Sequence, residues 1–428
     1  MFSLDDHPQR YALANELHAR PSPALTAPTT AVFLAVKRPD NAASRDREAD
    51  RAHLLDLLDR FGAPHPSPDA NHYFGAMGRY HLKWEQHTEF VTYTVFADGI
   101  GSRAFDPAAF DVFPDDWLRQ APGKRVTSAH IRVDTMPGSE VEMNDAINNW
   151  FVAESVAATW VLDRAALVAG DFRIDPAGHM RFVAFIGKGV GERRIGRIVQ
   201  RLCEIETYKA MSMLGLPQAR NLQAKLGLLD KELTHLVGAM SQGDEAPEAT
   251  LDELLQISSK LEDLTAATSF RLSATTAYEA IVHQRITFLR EERFMDRQTL
   301  SEFMMRRYDP AMRTIKSAER QLTGMAQRAM RAGDLLRTRV DVQRSKQNQS
   351  LLASMNRRAD MQLRLQETVE GLSVVAISYY AVSLAGYLAY PLTEMLGISK
   401  GMLTAALTLP VVGLVWLGVR RIRHSIEK

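Results

Sequence analysis

The stretch Gly187-Lys188-Gly189-Val190-Gly191-Glu192-Arg193-Arg194 comes closest to a ligand motif. It follows an apolar, β-prone run from Met180 to Ile186 and precedes a helical pattern reaching about Leu214. Backbone amides of a glycine turn and a helix N-terminus, backed by Arg193, Arg194 or Arg197, could cradle a phosphate. The motif is incomplete. It lacks the Lys-Ser/Thr pair of a P-loop, misses the G-x-G-x-x-G spacing, and has no acidic residue in a second strand about 20 residues on. An ordinary strand-to-helix turn is the expectation; anion binding at Gly187, Gly189, Gly191, Arg193 and Arg194 is the sharper alternative.

Other polar groups are weaker candidates. Arg79, His81, Lys83, Glu85 and His87 share one face of a strand, because side chains alternate with period two. His81 and His87 are then roughly 20 Å apart, too far to share a metal; a solvated sheet face is expected. A helix opening near Pro8 and ending before Pro21 sets His7, Tyr11, Ala14 and His18 on one face. A capped helix explains it, with a polar contact site near His18 and Arg20 as the alternative. Cys203 is the only cysteine, which excludes an intramolecular disulfide and a cysteine metal cage. No Ser-His-Asp, metal or paired-carboxylate constellation emerges, so the expectation is a protein that is not an enzyme, with no cofactor named.

The elements that position these residues read as follows. Thr30–Lys37, Arg79–His87, Glu89–Phe96, Lys124–Thr135, Ser155–Leu162, Ala165–Asp175 and Met180–Ile186 are β-type runs, and Ala49–Arg60 a helix. Asp175-Pro-Ala-Gly178 makes a turn between the last two strands. The pattern turns helical from Pro217: Gln218–Met240, then a helix opened by the capping box Thr250-Leu-Asp-Glu253 and reaching about Arg293. Asp309-Pro310 starts another helix, with no proline before Pro391. About 80 residues at 1.5 Å rise make roughly 120 Å, and Gly333-Asp334 leaves a two-segment stalk open. The preceding long helix is its antiparallel partner.

Gly371 to Thr393 carries no charged residue, nor does Gly401 to Val419. Each meets the ~20 apolar residues needed to span a bilayer. Arg357, Arg358 and Arg364 precede the first run; Arg420, Arg421, Arg423 and Lys428 follow the second. By the positive-inside rule both termini face the cytoplasm, with a tiny outer loop. The bland alternative is a buried helical hairpin in a soluble core. The first ten residues have no apolar run and no signal-peptide pattern. Ala381, Ala385 and Ala389 recur every fourth residue, spacing that lets helices approach in lipid and marks an oligomer interface. A net charge of +1 with 24% charged residues excludes a disordered polyion and gives no reason for a nucleic-acid partner.

Four blocks resemble one known family: HPQRYALANELHARPSPAL, KWEQHTEFVTYTVF, GRIVQRLCEIETYKAMSMLGLPQAR, and the segment from RTRVDVQRSKQNQS to EGLSVVAISYY. That family comprises bacterial predicted membrane-anchored proteins defined by a domain of unknown function. The resemblance covers nearly the whole chain and implies a membrane location, with no activity or ligand. The layout also resembles CorA-type magnesium channels, but their Gly-Met-Asn signature is absent; the region reads TEMLGISKG.

The expected fold is therefore α+β: a mixed-sheet cytoplasmic domain over 1–216, a helical domain over 217–309, a stalk over 310–370, a transmembrane hairpin over 371–419 (371–393 and 401–419), and a basic tail over 420–428. The expected role is a homo-oligomeric scaffold or sensor anchored in the bacterial inner membrane, whose partners are the lipid bilayer and its own copies. A CorA-like cation channel is the alternative, and a phosphate-binding enzyme using the glycine loop a third reading.

Overall fold

Alternating apolar residues resolve into one nine-stranded sheet in the computed structural model, which describes residues 4–16, 22–39, 44–242, 247–391 and 398–426. Helix α1 (Arg10–Glu16) precedes strand β1 (Thr29–Lys37) and α2 (Arg47–Arg60). Then come β2 (His72–Met77), β3 (Tyr80–Gln86), β4 (Phe90–Asp98), a 3-10 turn (Pro107–Val112) and α3 (Asp115–Arg119). Strand β5 (Lys124–Thr135), α4 (Glu140–Trp150), β6 (Ala157–Val161), β7 (Ala166–Gly170) and β8 (Met180–Ile186) follow. The helical half holds α5 (Glu192–Met213), α6 (Gly215–Gln242), α7 (Pro247–Thr287), β9 (Glu292–Arg293), α8 (Leu300–Arg307), α9 (Asp309–Leu388) and α10 (Lys400–Ile426).

The strand order is β2-β3-β4-β1-β5-β8-β7-β6-β9, antiparallel throughout except for the parallel pair β5 and β8. Strand β1 sits between β4 and β5, so both of its edges are paired, and TTAVFLAVK alternates between two cores. Phe33 and its neighbours Ala31 and Ala35 join a core formed with α5 and the long helices. Val32, Leu34 and Val36 face the other way, against Leu54, Leu57 and Leu58 of α2. A third cluster packs Met143 and Ile147 of α4 on Trp160 and Phe185 of the sheet. Helices thus cover both faces, the layered solution that buries every apolar strand face.

On the α2 side the buried polar groups of His53, Tyr93 and Trp117 satisfy one another. The His53 ring stacks on Trp117, with centroids 3.9 Å apart. Its Nε2 must donate to the Trp117 carbonyl at 3.0 Å, since a carbonyl only accepts, and its Nδ1 accepts from the Tyr93 hydroxyl at 3.0 Å. Burial lowers the His53 pKa and keeps the ring neutral.

Two compact units divide the chain: Met1–Asp244 with Asp252–Ala332, and Glu245–Leu251 with Gly333–Lys428. In the first unit α7 meets the start of α9 antiparallel, through Lys316–Glu279 at 2.6 Å and His283–Asp309 at 3.4 Å. Helix α6 adds Asp230, which accepts from Arg328 at 2.8 Å. In the second unit Arg344 pairs with Glu248 at 2.9 Å. Helix α9 runs 80 residues through Gly333 and Asp334, so the two-segment stalk is not seen.

Several expected boundaries move. Helix α7 opens at Pro247, so Thr250 lies inside its first turn and does not cap it; proline at a first helical position is already pre-set for the helix. It ends at Thr287, because Glu292 and Arg293 pair with β6 as β9. Two helices, Asp309–Leu388 and Lys400–Ile422, are long and apolar enough to cross a membrane. Their most apolar windows are 6% and 0% buried within the chain, unlike a hairpin in a soluble core.

Candidate functional site

Between the β3–β4 part of the sheet and α5 lies a cavity of about 250 Å³. Period two points Lys83 and Glu85 of β3 the same way, and Thr92 and Thr94 of β4 beside them. Helical spacing stacks Gln200, Cys203, Glu204 and Thr207 of α5 over that floor. Arg285 of α7 closes the rim by pairing with Glu204; their side chains are 29% and 22% exposed.

At the floor the Lys83 ammonium is withdrawn from solvent. Its side chain is 6% exposed, with Glu85 Oε1 3.2 Å away. Beyond that ion pair, its Nζ makes no aligned hydrogen bond among the described residues. Gln200 Oε1, on the same cavity wall, is also buried without a donor, while its Nε2 donates to Glu204 Oε1 at 2.9 Å. A buried donor and a buried acceptor left open cost free energy unless something fills them. Burial raises the Cys203 thiol pKa, against a smaller lowering by Lys83, and so favours the protonated thiol. The cavity can hold a small solute that accepts from Lys83 and donates to Gln200. Two ion pairs, Lys83–Glu85 and Arg285–Glu204, line it.

The expected solvated face of β3 is corrected here. Arg79 and His81 are exposed, but Lys83 is buried and Glu85 and His87 are half-buried. The alternation holds; α5 covers the second half of the strand.

The glycine loop is placed as a strand-to-helix turn. Gly187 N donates to Ala165 O at 2.9 Å, and Gly189 takes φ +77°, which a side chain would strain. Gly191 precedes α5 without a side-chain cap. Arg194 turns back to the Leu162 carbonyl at 2.6 Å and to Asp163 at 3.5 Å, while Arg193 is exposed. Of the two expected arginines, one is thus engaged with the β6–β7 turn. Ala381 and Ala385 lie half-covered on α9, and Ala389 lies just beyond its end. His18 and Arg20 lie outside the described residues. Among the described residues no three His, Cys, Asp or Glu side chains converge as metal ligands.

Sequence reasoning missed the cavity because its walls come from six segments: the stretch before β1, then β1, β3, β4, α5 and α7. The available signal was a lysine in the middle of an alternating strand whose neighbours are Leu82 and Trp84.

A protein-family model described as "Protein of unknown function (DUF3422)" matches residues 5–426. No curated protein matches the chain. The match runs from the first described helix, through the sheet and the Lys83 cavity, to the end of α10, and on that coverage the chain belongs to the DUF3422 family of proteins of unknown function.

Proposed function

We propose that this protein is a membrane-anchored sensor whose sheet unit binds a small zwitterionic or mixed donor–acceptor solute in the Lys83 cavity. The observation that carries the proposal is the buried Lys83–Glu85 ion pair, which faces a cavity that also holds the open Gln200 carbonyl. The absence of an activated nucleophile favours binding over chemistry at this cavity. The test is thermal unfolding of the full chain in nanodiscs against a panel of small zwitterions and polyols. A ligand at 100 times its Kd adds about 2.7 kcal/mol of stability. Lys83→Met should remove that gain while keeping most of the side chain's length without its charge. A shift of equal size in Lys83→Met, or none across the panel, would defeat the proposal.

The anchor is the pair of apolar helices, held as a homo-oligomer in a bacterial inner membrane with both ends in the cytoplasm. Orientation rests on the arginines that flank both spans on one side. Reporters report on it directly: one fused after Lys428 is expected in the cytoplasm and one inserted at Ser399 outside. The reverse pattern would invert the sensor and expose its cavity to the other compartment.

A further inference from the structure

A second cavity, of about 510 Å³, opens on the same unit where β5, the β7–β8 connection, α5 and α8 meet. This lies within the roughly 300–1,000 Å³ typical of small-molecule sites. Its walls carry large apolar side chains that the core leaves half-covered: Phe172, Met180, Met213 and Phe303. Phe172 and Phe303 stack with centroids 4.3 Å apart.

Phe172 is held there against its backbone preference, at φ +52°, an uncommon region for a bulky residue. The buried Asp171 next to it fixes that turn, accepting from the amides of Val152 and Arg173 at 3.2 Å and from Arg181 at 2.7 Å. Strain of this kind persists where the surroundings over-determine it and clusters at ligand clamps.

Charge around the opening is one-sided. Arg125, Lys209 and Arg307 line it against a single carboxylate, Glu206. Glu206 is fully engaged inside, accepting from Thr127 at 2.9 Å and from Lys209 at 2.7 Å. Neither Arg125 nor Arg307 has a carboxylate partner among the described residues, and both are exposed. Arg307 ends α8, where the helix dipole alone favours a cation. Arg125 has no such reason; its guanidinium lies over Gly178, where a Cβ would stand 2.9 Å from Nη2.

An apolar cleft with free guanidiniums at its mouth complements one class of molecule. We infer that this cavity binds a single-chain amphiphile with an anionic head, the chain lying along Phe172, Met213 and Phe303 and the head between Arg125 and Arg307. The site is separate from the Lys83 cavity and stands or falls independently of it.

The test uses the full chain in nanodiscs of zwitterionic lipid and a photoreactive diazirine-bearing dodecanoate, with adducts mapped by peptide mass spectrometry. Labelling is expected on the peptides carrying Phe172, Met213 and Phe303. Unlabelled dodecanoate or dodecyl phosphate should displace it, and dodecyltrimethylammonium at the same concentration should not. Charge-assisted hydrogen bonds lost in Arg125→Gln and Arg307→Gln should each weaken labelling about tenfold. Ala210→Trp, which fills the cleft without touching its charge, should abolish it. Adducts confined to α9 and α10, equal displacement by the cationic amphiphile, or labelling unchanged in these variants would each overturn the inference.

Discussion

Glu89→Ala is expected to lower the unfolding free energy of the sheet unit by about 3–5 kcal/mol, the usual cost of stranding one member of a buried ion pair. Glu89 lies in the turn between β3 and β4 with its side chain 2% exposed. It accepts from both terminal nitrogens of Arg271 and from the Tyr278 hydroxyl at 2.9 Å. Both partners belong to α7, so this carboxylate ties the helical bundle to the sheet. Burial, reinforced by Glu89, raises the Tyr278 pKa and keeps the phenol a donor. Alanine leaves a guanidinium and a phenol facing nothing. Urea unfolding followed by tryptophan emission measures the loss, since Trp84, Trp117, Trp150 and Trp160 all lie in this unit. Replacing the pair with Glu89→Leu and Arg271→Leu together should cost far less than Glu89→Ala alone, because no charge is stranded. A single-variant loss under about 1 kcal/mol would refute the account, that being the range of an exposed pair.

Gly196→Ala is expected to destabilise the same unit by about 1–3 kcal/mol or more, the range for overpacking. The sign makes the test sharp. Gly196 lies inside α5, where alanine ordinarily gains about 1 kcal/mol over glycine. Here a Cβ would stand 1.7 Å from the Pro23 carbonyl oxygen, closer than any two such atoms can sit. The segment cannot easily retreat, because Leu25 N also donates to Glu192 O at 3.2 Å. Pro23 lines the Lys83 cavity as well. Thermal unfolding should therefore fall, and the affinity of any cavity ligand should fall with it. A gain in stability would show that helix propensity outweighs the contact and that the 22–28 segment yields.

What the sequence determined by itself is whatever depends on near neighbours. Strands β1, β3, β4, β5 and β8 are visible as β-prone runs, with period-two alternation read in β3 and β4. The two apolar runs stand out because crossing a bilayer demands about 20 uncharged residues in a row. The turn ending at Gly178 and the glycine loop before α5 were also readable, since both need backbone that glycine allows. The short elements β2 and β9 were not. Glu292 and Arg293 form a strand only because β6 lies alongside to receive their hydrogen bonds.

Tertiary structure alone decided the strand order and the parallel pairing of β5 with β8, which no local period encodes. It also decided which charges are solvent and which are core. Lys83 and His81 look alike in an alternating strand, yet α5, more than a hundred residues on, covers only the first of them. Glu89 looks like the polar end of a β-prone run until Arg271 and Tyr278 arrive from α7. Desolvation of a charge depends on everything that surrounds it in space, so the meaning of these carboxylates and ammoniums is set by the packed helices and not by their neighbours in the chain.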